Sequence, residues 1–236
     1  MILYLNGDSH TAAGEAVNRH CFAKDDSKFW HLEGDEQYRG HPDNLAVSFG
    51  QLIADKLNYQ CVNHATSAAS NYKILRTTKE YLKHNNPDFV LIGWSTWERE
   101  EWYDQDDDFY YQVNGSGIDS VPDKWRLRYK EFVTSIDWNQ CVKFWHEEIW
   151  QFHNQLLTLK IPHLFFNCHL TFEPLLKFED FQPYEWGNYY IEPYSNFSYL
   201  NYLVSQNCKH NRSFHFGPDG HSKWADFLLA HLTRLL

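Results

Sequence analysis

Short apolar runs at residues 1–6, 59–63, 88–94 and 161–167 alternate with longer stretches of helical spacing, and this alternation limits the chain to few architectures. Runs of five to seven mostly apolar residues that end at Gly, Asn or Trp-Ser read as buried strands. Helical patterns follow over 11–19, where Ala12, Ala13 and Ala16 suit close packing on a sheet, and over 44–57, where Leu45, Phe49, Leu52 and Ile53 recur. Further helices are expected through Ile74, Leu75 and Tyr81, over 138–160, over 194–206, and over 218–235 with Pro218 in the first turn. Strands that alternate with helices predict a mostly parallel sheet in a three-layer α/β/α sandwich, with ligands bound beyond the carboxyl ends of the strands. The 236 residues fit one domain carrying insertions at about 23–43 and 98–137.

A formal net charge of −10, with no stripe of Lys and Arg, argues against nucleic acid as a partner. Neither a run of the roughly 20 apolar residues needed to cross a membrane nor a leader-like N-terminal segment is present, so a cytoplasmic protein is expected. Cys21, Cys61, Cys141, Cys168 and Cys208 are scattered and odd in number, which suits reduced, mostly buried thiols. The aromatic share of 18% is high enough to expect rings on a binding surface as well as in the core.

Ser9 stands just past the first strand in Gly7-Asp8-Ser9-His10-Thr11, where the sheet edge exposes it to a substrate. A serine needs a base to accept its proton. His215, in the loop before the last helix, can reach across that edge, whereas His221 falls inside the helix. These residues carry a resemblance to the SGNH or GDSL hydrolases: Gly7-Asp8-Ser9-His10 is similar to that family's first block, and His215, Gly220, His221 and Ala225 are similar to its last. The resemblance implies a flavodoxin-like fold, nucleophile Ser9 and base His215. Asn6-Gly7-Asp8-Ser9-His10-Thr11, Ser70-Asn71, Gly93-Trp94-Ser95 with Trp97-Glu98-Arg99, and the closing His-x-x-x-x-Gly-His-x-x-Trp-Ala also resemble versions encoded by marine bacteriophages.

The middle blocks depart from the family. Ala68 stands where a Gly supplies an oxyanion N–H, and a backbone N–H survives that change. Ser95 replaces an Asn whose side chain is another oxyanion donor, and Asn71 is the candidate substitute. Arg212 occupies the position three before His215 where the family has Asp, so a Ser-His dyad is expected, with Asp219 the weaker choice for an acid. Arg99 follows the third strand closely enough to hold an acidic substrate group or to pair with neighbouring glutamates.

No metal or other cofactor is expected. His146-Glu147-Glu148 begins like a zincin helix, but Trp150 stands where the second His belongs, and His146 and His153 read as an ordinary half-exposed stripe. The acidic run 104–108 lacks the glycine and distal Glu of a calcium loop and reads as a solvated face. Trp97, Trp102, Tyr103, Tyr110 and Tyr111 either stack on sugars or pack the insertion onto the sheet. Two functions follow: an ester hydrolase acting on a small-molecule or carbohydrate ester, including O-deacetylation, or a noncatalytic module of the same fold that binds carbohydrate or associates with a virion.

Overall fold

The computed structural model describes residues 1–115, 117 and 121–235, so Ser116 and residues 118–120 of the second insertion lie outside the described residues. Strands β1 (Ile2–Asn6), β2 (Gln60–Asn63), β3 (Phe89–Trp94) and β6 (His163–Asn167) form one parallel sheet in the order β2-β1-β3-β6. That order steps outward in both directions from between β1 and β3, which is the switch point of a doubly wound sheet. The edge of β6 is partly covered, because Phe165 donates its N–H to Tyr189 O and accepts at its carbonyl from Ile191 N–H.

The period of two along each strand sends alternate side chains to opposite layers. Leu3, Leu5, Phe89, Leu91, Leu164 and Phe166 face one core, shared with helices α2 (Phe49–Leu57), α6 (Tyr199–Ser205) and α7 (Pro218–Leu232). Tyr4, Val90, Ile92, Trp94 and Phe165 face the other, against α3 (Asn71–His84) and α5 (Trp138–Thr158). Burying each such side chain contributes about 1.5–3 kcal/mol, so both layers are held by the same strands. The α/β/α sandwich expected from the sequence is therefore the observed architecture.

Several local expectations change. The segment 11–19 forms consecutive turns rather than a helix, with Ala13 and Glu15 in left-handed conformation at φ 52° and 58°. The 44–57 pattern is broken: a short α1 (Pro42–Leu45) ends before Ser48, whose hydroxyl caps α2 by accepting from Gln51 N–H. The 194–206 pattern is helical only at α6, entered from the Ser198 cap.

The second insertion builds its own small core. Antiparallel strands β4 (Glu100–Asp104) and β5 (Phe109–Val113) and helix α4 (Arg126–Ser135) enclose Trp102, Val113, Val121 and Tyr129. In the acidic turn Asp104 is buried and ion-paired to Lys124 at 2.7 Å, so the run is solvated only in part. His146 and His153 are buried, not half-exposed: His146 bonds Tyr194 Oη at 2.8 Å, and His153 bonds His163 at 2.7 Å. Aromatic rings from 172–194 close over α5 and take that face out of water.

Candidate active site

The site lies where β1, β3 and β6 end. Gly7 leaves β1 in a space with no room for a side chain: a Cβ there would lie 2.2 Å from Thr11 Oγ1 and 2.8 Å from Gly93 O. The chain then turns sharply, with Ala12 N–H bonded to Asp8 O at 3.0 Å and Gly14 N–H to Ser9 O at 2.7 Å. This turn holds Ser9 at the sheet edge.

His215 Nε2 is 2.8 Å from Ser9 Oγ. On the other side of the ring, Nδ1 is 2.6 Å from Glu15 Oε2. With the Nδ1–H donated to that carboxylate, Nε2 presents its lone pair to the Ser9 hydroxyl. Ser9, His215 and Glu15 thus form a complete hydrogen-bonded relay. Glu15 stands outside the residues that local sequence patterns single out.

Glu15 reaches His215 because of the turns at Ala13 and Glu15. A helix over 11–19 would have carried its side chain along a helical face, whereas the left-handed residues fold the loop back toward the C-terminal segment. Asn211 completes the arrangement. Its Nδ2 donates to Glu15 Oε2 at 2.9 Å, and its Oδ1 accepts the His215 backbone N–H at 3.0 Å. Partial burial would raise the Glu15 carboxyl, but hydrogen bonds from His215 and Asn211 outweigh it, and the group ends below the usual carboxylate range. Asp219 stands apart: it is exposed and pairs with Lys223 at 3.7 Å.

Ala68 is left-handed at φ 60°, a conformation that favours glycine, and it is followed by the Ser70 cap of α3. Among the described residues the Ser9 and Ala68 backbone N–H groups donate no hydrogen bond, which leaves both free for an oxyanion. Asn71 is not free. Its Oδ1 accepts Ser95 N–H at 2.8 Å, and its Nδ2 donates to Ser95 O at 3.3 Å and Thr96 O at 3.4 Å. Ser95 is likewise engaged, donating to Asp8 Oδ2 at 3.1 Å and accepting from Arg99 at 2.8 Å. Both side chains brace the site, and neither is available as a third oxyanion donor.

Arg99 faces inward, as the sequence suggested, but onto the protein: its guanidinium is 3.5 Å from Asp8 Oδ2 and 3.4 Å from Ala69 O. Asp8 is fully buried. Burial favours its neutral form, yet His10, Arg99 and His169 nearby and the His10 N–H overcome this and hold the carboxyl at about 2. His10 and His169 meet with their Nε2 atoms 2.5 Å apart, and with Asp8 they form the group among the described residues whose donor atoms could hold a metal ion. Burial is the main cause that pushes both imidazoles below their ordinary value, helped by His169 at His10 and by Arg99 and His215 at His169.

The second insertion forms a wall beside this site. Gln112 of β5 accepts the Ser70 N–H at 3.0 Å, and Arg76 of α3 pairs with Glu101 of β4 at 2.7 Å. Trp97 and Trp102 are packing residues, the first stacked on Phe172 with centroids 4.7 Å apart, whereas the Tyr103 and Tyr110 rings are exposed on the hairpin. No described helix is long and apolar enough to cross a membrane.

No protein-family model and no curated protein matches the chain. Among solved structures it is similar to a protein assigned to the G-D-S-L lipolytic family from Desulfitobacterium hafniense DCB-2, with 13% identity over 100% of this chain and 99% of that one and a TM-score of 0.36. It is also similar to a carbohydrate esterase whose active site displays divergent catalytic and non-catalytic binding functions, with 14% identity over 98% of this chain and 68% of that one and a TM-score of 0.43. The sheet order β2-β1-β3-β6 and the cores on its two faces are those of an α/β/α sandwich.

Proposed function

We propose that this chain is a serine ester hydrolase in which Ser9 is the nucleophile, His215 the general base and Glu15 the carboxylate that orients it. The observation that carries this reading is the unbroken relay of 2.8 Å and 2.6 Å contacts from Ser9 through His215 to Glu15. His215 Nε2 takes the hydroxyl proton as Ser9 Oγ bonds to the acyl carbon, and the N–H groups of Ser9 and Ala68 receive the negative oxygen. The protonated imidazole then gives its proton to the departing alkoxide, releasing alcohol and leaving an acyl-serine. Water, deprotonated by the same histidine, releases the acid and restores Ser9.

A carbohydrate ester is the substrate class we favour. The hairpin wall beside the Ala68 loop carries the exposed Tyr103 and Tyr110 rings; the Arg76 guanidinium covers one face of Tyr110, and the ring faces left open suit stacking on sugars. Relation to versions encoded by marine bacteriophages, and a place in the cytoplasm or the virion, belong to the same proposal.

One observation favours a second reading, a binding module without turnover. Ser95 and Asn71 are both engaged and neither supplies the family's third oxyanion donor, and loss of one such donor costs about 2.7–4 kcal/mol in the transition state. Labelling with a fluorophosphonate separates the two. The enzyme reading expects covalent modification of the wild type at Ser9, with none in Ser9→Ala and strongly slowed modification in His215→Ala. A wild type that stays unlabelled, while a control serine esterase reacts in the same tube, rejects it in favour of the binding module.

A further inference from the structure

Beside the relay, the loop after β1 and the loop after β6 bring Asp8, His10 and His169 together above the end of β3, with donor atoms all within 4.8 Å of one another. Asp8 and His10 are buried at 0% and 2% exposure. The two rings face each other through Nε2, and His10 Nδ1 has no partner among the described residues. A cation between the two Nε2 atoms would let both lone pairs point inward beside Asp8, while His10 Nδ1 stays without a protein partner among the described residues. We propose that Asp8, His10 and His169 bind a divalent transition-metal ion of the zinc class, fastening the nucleophile loop to the loop that follows β6.

The donor set selects the class of ion. Two imidazoles and one carboxylate suit zinc and its neighbours, with a water in the fourth position. Calcium and magnesium require six or more oxygens or a hydrated carboxylate site, and the single carboxylate here is shared with Ser95 Oγ at 3.1 Å and the Arg99 guanidinium at 3.5 Å. Tetrahedral coordination at zinc–nitrogen distances of about 2.0–2.1 Å sets the two nitrogens about 3.4 Å apart, so the rings must part by roughly 1 Å. His169 is partly exposed at the loop surface and can make that movement. The ligands lie outside the Ser9-His215-Glu15 relay, so this inference does not depend on esterase activity.

The test uses the full chain, stripped with a chelator, dialysed and titrated with Co²⁺ and Zn²⁺. One equivalent of Co²⁺ is expected to produce the strong visible absorption of a four-coordinate site, displaced by one equivalent of Zn²⁺. His169→Gln is expected to abolish the absorption and weaken zinc binding by about a hundredfold or more, while Ser9→Ala keeps both. Because His10 is buried in the fold, the partly exposed His169 carries the mutational arm, with circular dichroism confirming the folded state. Absence of one-to-one binding by the wild type overturns the proposal, as does binding by folded His169→Gln with undiminished absorption and affinity.

Discussion

At the scale of the residue, the informative position is Glu15. Ser9 and His215 were legible because each sits in a local pattern: a strand that ends in Gly-Asp-Ser, and a loop that precedes an Ala-bearing helix. Glu15 was not legible, because its meeting with His215 spans 200 positions and depends on left-handed backbone at Ala13 and Glu15, where composition favoured a helix. The small residues that suggested close helix packing serve instead to fold a tight loop. His169 was missed for a related reason, since it lies 159 positions from His10 and only the parallel sheet order brings the two loops together. If Glu15 orients the base, Glu15→Gln keeps the shape but can hold the wrong imidazole tautomer, and kcat is expected to fall by roughly two to four orders of magnitude with little change in KM. Steady-state hydrolysis of an activated aryl ester would measure this. A fall of less than about threefold would leave the dyad as the working unit, with Glu15 a bystander.

At the scale of the element, the site depends on how α3 is pinned to the end of β3. Asn71, the first residue of α3, satisfies the N–H and carbonyl of Ser95 and the carbonyl of Thr96 through one buried amide. Sequence position alone marked it as an oxyanion donor, because an amide near the site is as suited to catalysis as to bracing. Its partners decide between these roles. Asn71→Ala strands a buried N–H, which costs about 1–3 kcal/mol, and frees Ser95 to shift relative to Asp8. The expected result is a urea midpoint lowered to match that loss with an unchanged m-value, together with reduced fluorophosphonate labelling. An unaltered midpoint with labelling lost would instead return Asn71 to the oxyanion site. The long insertion follows the same logic: its length signalled a wall, but its attachment through Gln112 to Ser70 and through Glu101 to Arg76 lay beyond what sequence spacing could show.

At the scale of the whole molecule, the sandwich buries several histidines in neutral form, and this sets how it responds to acid. Burial depresses His146 and His163 to about 4 and His221, fully enclosed by α2, α6 and α7, to about 3, from an ordinary value of 6.5. The partners explain why neutrality is tolerated: His146 bonds Tyr194 Oη, His163 is bonded by His153 and Ile161 O, and His221 Nδ1 accepts Phe49 N–H. In the unfolded chain these rings protonate as pH falls through 6.5, while in the folded chain they stay neutral until about 4 or below. The unfolded state therefore binds more protons across that window, and stability falls as pH drops from 6.5 toward 4, by up to about 1.4 kcal/mol per pH unit for each such ring. The loss levels off once the folded rings protonate as well. Unfolding in urea at pH 7.5, 6.5, 5.5 and 4.5 should show a flat upper range and a steep decline below 6.5. Calorimetry at pH 5 in buffers of different ionisation enthalpy should find uptake on the order of three protons or more on unfolding. A midpoint that holds constant from 7.5 to 4.5 would mean that these histidines are already charged or solvated in the native state, and the aromatic closure over α5 would then have to be looser than the packing of His146 against Tyr184 and Tyr194 requires.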